Sequence, residues 1–292
     1  MDLNFKKISI IGLGLIGTSI LHAIKAKKED ELVTFAYDIN PEHRKIVLQM
    51  KIATFVCEDI KDSVKEADLV ILAVPVGSMK KVANLIAPFL KKNTVVTDTG
   101  STKGSVVNDV NPYMPDNVYF IPSHPLAGTE YSGPKSGFSS LFKNRYWLIV
   151  YDKQTNETKK LINFFQTLGS FVEIVNTEYH DKILAITSHL PHLIAYTIVG
   201  TASDLETDLK NDVIKFSASG FRDFTRIASS DPIMWRDVFL NNSDAVLEML
   251  QRFNEDLSDL QKTIRKKDGD KLHSFFSRTR SIRKKIIDAG QI

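Results

Sequence analysis

The feature that most constrains the fold is a set of three glycines near the N-terminus, Gly12, Gly14 and Gly17. The apolar segment Lys7–Ile11 before them predicts a strand, and Leu15–Ala26 after them predicts a helix. In such a unit Gly12 permits the tight turn, Gly14 lets a phosphate approach the main chain, and Gly17 lets the helix pack on the strand. The free N–H groups at the helix start would bind the pyrophosphate of a dinucleotide.

An acidic residue after the next apolar segment supports this interpretation. Leu32–Tyr37 is predicted to be the second strand, and Asp38 follows it, 21 residues beyond Gly17 (38 − 17). A carboxylate there accepts hydrogen bonds from the adenosine ribose and repels a 2′-phosphate, so NAD is predicted rather than NADP. The residues expected to bind the cofactor are Gly12, Leu13, Gly14, Leu15, Ile16, Gly17, Asp38, Val74 and Pro75.

The first 176 residues alternate short apolar segments with helical ones, which is typical of a parallel sheet covered by helices on both faces. Two later apolar segments, Tyr146–Val150 and Phe171–Val175, are expected to extend that sheet. No convincing strand follows residue 177. We therefore predict an α/β protein with a doubly wound, Rossmann-like dinucleotide-binding domain at 1–176 and an all-helical substrate-binding and dimerisation domain at 177–292.

The helical half carries long apolar stripes. One of them alternates steps of four and three along a single helix: Val246, Leu250, Phe253, Leu257, Leu260 and Ile264. Packing within one chain would explain such a stripe. A second copy of the chain would also bury it, and we expect a homodimer that meets through residues 177–292.

Composition and charge argue against several classes of protein. The net charge of +3 is too small to indicate a nucleic-acid partner. The single cysteine, Cys57, leaves no internal disulfide and no cysteine-rich metal site, which fits a reducing cytoplasm. The most apolar segment, Ile183–Val199, is interrupted by two histidines and Pro191, so a buried helix is expected there rather than a membrane span.

A histidine between two prolines is the leading candidate for catalysis. Pro122 and Pro125 stiffen the backbone around His124, whose imidazole, with a pKa near 6.5, could accept a proton at physiological pH. Ser101, in the loop after a predicted strand, could donate and accept a hydrogen bond beside the nicotinamide, although ordinary turn chemistry would also explain it. Glu130 could orient this site. Together with a nicotinamide cofactor, these residues predict hydride transfer from a hydroxyl-bearing carbon.

The helical half adds further polar candidates. Ser188 and His192 are four residues apart and share a helix face, where they would either bind a ligand or form a satisfied core network. Arg226 lies in a segment with two phenylalanines and could bind a substrate carboxylate through its planar guanidinium. A surface salt bridge explains it equally well, and Arg222 is the neighbouring alternative.

Five segments, in this order, resemble the prephenate dehydrogenase family, whose members act on prephenate or arogenate. The segments are Gly-Leu-Gly-Leu-Ile-Gly, Asp-Thr-Gly-Ser-Thr-Lys-Gly, Ser-His-Pro-Leu-Ala-Gly-Thr-Glu, Thr-Ser-His-Leu-Pro-His, and Phe-Arg-Asp-Phe-Thr-Arg-Ile-Ala followed by Asp-Pro-Ile-Met-Trp. The resemblance implies NAD-dependent oxidative decarboxylation of prephenate to 4-hydroxyphenylpyruvate, on the route to tyrosine. It also implies a Rossmann-like domain followed by a helical domain that forms a homodimer.

The resemblance also implies roles for individual residues. His124 would hydrogen-bond the 4-hydroxyl of the ring and take its proton as hydride leaves C4 for NAD. Ser101 would hold that hydroxyl and the nicotinamide, and Arg226 would bind the ring carboxylate. Ser188 and His192 would line the pocket near the substrate side chain.

Two other functions stay open at this point. An arogenate-preferring dehydrogenase differs only in the substrate side chain, and the sequence does not separate the two. A catalytically silent NAD-binding regulator would be expected to lose Ser101, His124 or Arg226, and all three are present. The segment 217–220, Ser-Ala-Ser-Gly, has fewer glycines than the family pattern, which puts its main-chain contacts in doubt. With the chain ending at Ile292, any control by tyrosine is expected to act at the active site.

Overall fold

Strands and helices alternate in the first part of the chain, and helices follow. The computed structural model describes residues 4–27, 31–151, 155–205, 212–213 and 215–288. The strands are β1 Lys7–Ile11, β2 Val33–Tyr37, β3 Phe55–Val56, β4 Leu69–Leu72, β5 Val95–Asp98, β6 Tyr119–Phe120, β7 Ser123–Pro125, β8 Tyr146–Ile149 and β9 Phe171–Ile174. The helices are α1 Leu15–Lys25, α2 Pro41–Met50, α3 Ile60–Val64, α4 Met79–Ile86, α5 Gly104–Val110, α6 Asn156–Thr167, α7 Thr177–Leu184, α8 Leu190–Ser203, α9 Ser219–Thr225, α10 Pro232–Asn241, α11 Ser243–Arg265 and α12 Gly269–Asp288.

The first six strands form one parallel sheet in the order β3-β2-β1-β4-β5-β6. Its central strands, β1 and β4, are buried except for Lys7 at the start of β1, because helices cover both faces of the sheet. Strand order reverses between β1 and β4, and the carboxyl ends of the strands border a crevice there. Ligands of doubly wound sheets bind in that crevice. The predicted doubly wound sheet is confirmed.

The prediction that the segments near residues 146 and 171 extend this sheet is wrong. They form β8 and β9 of a second sheet in the order β7-β8-β9, in which β7 is antiparallel to β8. Trp147 of β8 stacks on Phe165 of α6, with ring centroids 3.8 Å apart. This stack packs α6 against the second sheet.

Two apolar clusters pack against the first sheet. One contains Ile8 and Ile10 of β1 together with the buried residues of α1 and α6. The other contains Ile11 of β1 and Val70 of β4 with the buried residues of α4 and α5. Burial of each such side chain contributes about 1.5–3 kcal/mol, so the sheet is a rigid support for the loops at its carboxyl edge.

A π-helical turn, Ala185–His189, joins α7 to α8. Pro191 has no N–H to donate to the carbonyl of Thr187, and the N–H of Leu190 donates to Ala185, five residues earlier. A proline inside a helix favours a kink, and here the irregularity is a widened turn within a continuous helical stretch.

That stretch, Thr177–Ser203, is long and apolar enough to cross a membrane by length and composition alone, and 28% of its apolar window is buried within the chain. The prediction of a buried helix is therefore wrong for the single chain, because Ile186, Ile198 and Val199 are exposed. Within the described residues, packing in one copy thus covers only part of this apolar helix.

The chain divides into two compact units, Met1–Ser243 and Asp244–Ile292. In the second unit, Lys271 of α12 pairs with Asp259 of α11 at 2.7 Å. Large apolar side chains of both helices are exposed: Leu247, Leu257, Ile264, Phe276, Ile282, Ile286 and Ile287. The division of function at residues 176 and 177 remains a prediction.

Candidate active site

The loop between β1 and α1 has the geometry expected of a pyrophosphate-binding turn. Gly12 has a φ of +98°, and a side chain there would collide with the carbonyl of Ala73 at the end of β4. A side chain at Gly17 would collide with the carbonyl of Gly12, whereas one at Gly14 would face open space. The loop is thus closed on the protein side and open where a phosphate would approach, which fits NAD.

The other predicted cofactor residues surround this loop. Val74 follows Ala73, the residue whose carbonyl lies against Gly12. The next residue, Pro75, is exposed. Leu15 and Ile16 open α1 and pack partly against the core. The main-chain N–H of Leu13 donates to the Asp38 carboxylate at 2.7 Å.

Asp38 at the end of β2 accepts two further hydrogen bonds. The N–H of Asn40 donates to its Oδ1 at 2.8 Å, and Nδ1 of His43 donates to its Oδ2 at 3.2 Å. These bonds fix the carboxylate against the glycine loop. The structure therefore brings the predicted ribose ligand and the predicted pyrophosphate ligands together.

His124 lies on β7, and its backbone is locked by the preceding residue. Ser123 donates its N–H to Oδ1 of Asp98 at 3.1 Å, and its hydroxyl lies 2.8 Å from that of Thr97. The buried ammonium of Lys103 contacts Asp98 and donates to the Ser123 carbonyl at 2.8 Å. These hydrogen bonds, in addition to the flanking prolines, set the position of the imidazole.

Two residues of α7 connect His124 to a carboxylate. The Asn176 side chain caps this helix and accepts from the N–H of Tyr179. The next two residues are His180, whose Nε2 lies 3.0 Å from Nδ1 of His124, and Asp181, whose Oδ1 lies 2.8 Å from Nδ1 of His180. The result is a buried series of three side chains.

Hydrogen-bond direction in this series follows from its acidic end. Asp181 also accepts the main-chain N–H groups of Lys103 at 2.7 Å and Gly104 at 2.8 Å, at the N-terminus of α5. As a carboxylate, Asp181 can only accept, so His180 donates from Nδ1 and accepts at Nε2. His124 then donates from Nδ1, which leaves its Nε2 as a proton acceptor.

The pKa shifts of these groups agree with that arrangement. Burial is the main cause that holds the pKa of His124 well below 6.5, and the nearby Lys103 ammonium lowers it further. The prediction of a pKa near 6.5 is wrong, because the sequence did not reveal how deeply the ring is buried. Burial also lowers the pKa of His180. Burial acts to raise the pKa of Asp181, but its hydrogen bonds outweigh burial and lower that pKa.

A second polar cluster lies around the π-turn. The amide of Asn242 donates to Nδ1 of His189 at 3.1 Å and to the main-chain carbonyl of Asp181 at 2.9 Å. Burial lowers the pKa of His189 to about 4. A main-chain hydrogen bond with Ser101 acts in the opposite direction and offsets part of this decrease. His189 thus lies between the predicted Ser101 and the residues of α7.

His192, one helical turn past Ser188, stacks on Trp235 with ring centroids 3.6 Å apart. Its Nδ1 donates to the main-chain carbonyl of Ser188 at 2.8 Å. Burial lowers the pKa of His192, and the charge of Arg226 lowers it further. Arg226, which is 56% exposed, pairs with Glu130 at 2.8 Å.

All six residues predicted for catalysis and substrate binding therefore belong to one region of the first unit. Sequence reasoning missed five residues that connect them: His180, Asp181, His189, Trp235 and Asn242. His189 and Trp235 lie inside segments that were already singled out, and His180-Asp181 opens the most apolar helical stretch. Buried polar residues in such a stretch require partners, which was the available clue.

Comparison with known proteins gives two matching family models. Prephenate dehydrogenase, nucleotide-binding domain, matches residues 21–174, and prephenate dehydrogenase, dimerization domain, matches residues 176–278. The cyclohexadienyl dehydrogenase of Zymomonas mobilis is 40% identical over 281 residues, which are 96% of this chain and 95% of that protein. The prephenate dehydrogenase of Lactococcus lactis is 36% identical over 281 residues, 95% of this chain and 77% of that protein.

A solved structure is similar over nearly the whole chain. The prephenate dehydrogenase of Aquifex aeolicus, in complex with hydroxyphenyl propionate and NAD+, superposes with a TM-score of 0.88 at 30% identity. The superposition covers 96% of this chain and 98% of that one. Both domains of the family are thus matched in order along one polypeptide, and the chain belongs to the prephenate dehydrogenase family.

Proposed function

We propose that this protein catalyses the NAD-dependent oxidative decarboxylation of prephenate to 4-hydroxyphenylpyruvate, in tyrosine biosynthesis. The observation that carries the proposal is the series Asp181–His180–His124. Its hydrogen-bond directions leave Nε2 of a neutral His124 as a proton acceptor in the domain that carries the glycine loop. A hydroxyl-bearing ring carbon is oxidised by loss of hydride and of the hydroxyl proton, and this histidine takes the proton.

The chain's own residues position the ring and move one proton. Ser101 holds the 4-hydroxyl, and Nε2 of His124 accepts its proton as the carbonyl forms. The resulting positive charge on the imidazole is stabilised through His180 by the carboxylate of Asp181. NAD, held by the glycine loop and Asp38, supplies the hydride acceptor.

Arg226 binds the ring carboxylate, in exchange for its ion pair with Glu130. When this carboxylate leaves as carbon dioxide, the electron pair of the broken bond enters the ring, and the new carbonyl becomes a phenolate. The phenolate oxygen takes back the proton from His124, and the aromatic ring so formed drives the reaction forward. The protein therefore needs to position the substrate and remove one proton rather than to stabilise a high-energy carbanion.

His192 and Ser188 contact the substrate side chain, with Trp235 stacked behind the imidazole. Prephenate and arogenate differ in that side chain. Arogenate is the second candidate substrate, because the Zymomonas mobilis relative carries the broader name cyclohexadienyl dehydrogenase.

The same proposal includes the organisation of the molecule. Residues 1–176 bind the cofactor, and residues 177–292 bind substrate and form a homodimer. The limits of the two family models and the exposed apolar residues of α8, α11 and α12 support this division. The half-buried lone Cys57 supports a reducing, cytoplasmic location.

A turnover assay with purified protein tests the proposal. NADH formation is followed with prephenate or arogenate and with NAD or NADP, and the aromatic product is identified. We expect turnover of prephenate with NAD, and a preference for NAD over NADP of about tenfold or more because of Asp38. The control is His124→Asn, in which turnover should fall at least about a hundredfold while NAD still binds. Absence of turnover with either substrate would refute the proposal, and near-normal turnover in His124→Asn would refute the role of this base.

A further inference from the structure

The ribose end of the cofactor site contains a cation as well as the acid. The guanidinium of Arg44, on α2, donates from one terminal nitrogen to the main-chain carbonyl of Asp38 at 2.7 Å. It lies over the ring of Tyr37, 5.8 Å from its centroid. The charge of Arg44 is thus held against the main chain of Asp38, the residue whose carboxylate is predicted to bind the ribose.

A second carboxylate faces this arginine. The other terminal nitrogen of Arg44 pairs with Oε2 of Glu58 at 2.8 Å. The Arg44 side chain is only 14% exposed, whereas that of Glu58 is 86% exposed and projects from the loop after β3. Because water surrounds the Glu58 carboxylate, its ion pair with Arg44 is screened and contributes little to folding stability, about 0–1 kcal/mol, so stability alone is a weak reason for it.

The chemistry of the cofactor provides a stronger reason. NAD and NADP differ only by a phosphate on the adenosine 2′-oxygen, the position that Asp38 faces. An arginine beside that position is well suited to bind a phosphate, because its planar guanidinium makes paired hydrogen bonds to phosphate oxygens. Asp38 repels the phosphate, but an uncompensated Arg44 would attract it.

We propose that Glu58 is a second determinant of coenzyme selectivity, which neutralises Arg44 and so prevents it from attracting a 2′-phosphate. The inference rests on the proposed use of NAD and deepens it. Selectivity is then set by two carboxylates: Asp38 faces the ribose, and Glu58 cancels the cation behind it.

Binding measurements on the cofactor-free protein test this without a turnover assay. The dissociation constants of NAD and NADP are measured by calorimetry, with NADP in competition against NAD where its binding is weak. In Glu58→Gln, the ratio of the NADP to the NAD constant should fall about fivefold, the size expected for one uncompensated charge near a phosphate in water-exposed surroundings. NAD binding and NAD-dependent turnover should stay within about twofold of the wild type.

Glu42→Gln is the matched control. Like Glu58, Glu42 is an exposed carboxylate. It lies in the first turn of α2 and pairs with Lys45 at 4.0 Å rather than with Arg44. Its removal changes the net charge equally and should leave the ratio unaltered. In Glu58→Gln combined with Arg44→Gln, the gain in NADP binding should disappear, because the attracting cation is gone.

An unchanged ratio in Glu58→Gln, or an equal fall in Glu42→Gln, would overturn the inference, since net charge alone would then explain the result. A wild-type protein that does not bind NAD would overturn the proposed function as well. The two failures are distinguished by the wild-type titration itself.

Discussion

At the scale of single residues, the site depends on which nitrogen carries a proton. The carboxylate of Asp181 accepts two hydrogen bonds from main-chain N–H groups at the start of α5. It also accepts a third hydrogen bond, from Nδ1 of His180. That fixed acceptor sets the tautomers of His180 and His124 in turn. A histidine with a defined free nitrogen is ready to accept a proton without reorganising, which is the property a general base needs.

The depressed pKa of His124 predicts how activity depends on pH. The imidazole must be neutral to accept a proton, and burial holds its pKa well below 6.5. As pH falls, the neutral form therefore persists to lower pH than in a free imidazole. We expect the acid limb of the kcat/KM profile for prephenate to have its midpoint well below pH 6.5. A midpoint at or above 6.5 would contradict the buried, neutral base.

Arg226 offers a test of substrate recognition. Its guanidinium is partly exposed and is already paired with a carboxylate, so exchange for the ring carboxylate keeps its charge matched. We expect Arg226→Ala to raise the KM for prephenate at least about tenfold with NAD affinity unchanged, and Arg226→Lys to restore little of it.

Arg222→Ala is the control for Arg226. Arg222 lies on the short helix α9, which ends at the residue before Arg226, and it is exposed. Its substitution should leave the KM unaltered. The opposite pattern, with a raised KM only in Arg222→Ala, would transfer the carboxylate-binding role to Arg222.

At the scale of elements, two glycines at the start of α1 have separable functions: Gly14 is the N-cap and Gly17 lies in the first turn. Gly17 lets α1 contact the carbonyl of Gly12, whereas Gly14 borders open space. We expect Gly17→Ala to lower the free energy of unfolding by about 2 kcal/mol or more, because the added methyl collides with main chain. Gly14→Ala should keep that free energy within about 1 kcal/mol and weaken NAD binding instead.

Urea denaturation and NAD titration of both glycine variants provide the measurements. Each variant serves as the control for the other, since both add one methyl group at the start of α1. Equal loss of stability in the two would show that Gly14 is also required for packing.

At the scale of the whole molecule, the exposed apolar side chains predict assembly. Each Å² of apolar surface left in water costs about 25 cal/mol of free energy. Burial of these side chains against a second copy of the chain removes that cost. We expect light scattering at low micromolar concentration to give the mass of a dimer. Leu257→Asp, on the exposed stripe of α11, should weaken the dimer, while Ser258→Asp beside it should not. A fully active species with the mass of one chain would refute the obligate dimer.

The sequence by itself determined that the first sheet is parallel and covered by helices, and it determined the glycine loop and the place of Asp38 after the second strand. These depend on local properties: apolar strands buried on both faces, and backbone positions where only glycine fits. It also singled out His124, from its flanking prolines, and Arg226, from its aromatic neighbours, as candidates whose roles stay predictions. It could not predict that β8 and β9 pair with β7, since alternation of apolar residues does not specify a strand's partner.

Only the tertiary structure decided how the base works. His124 and His180 are 56 residues apart in the sequence, and Lys103 and Asp181 are 78 apart. Neither pair forms a spacing pattern. Their contact arises because β7, the start of α5 and α7 pack together, and this packing removes water from the imidazoles. Desolvation and hydrogen-bond direction are properties of that packed environment, so they set the protonation of His124 only once the chain has folded.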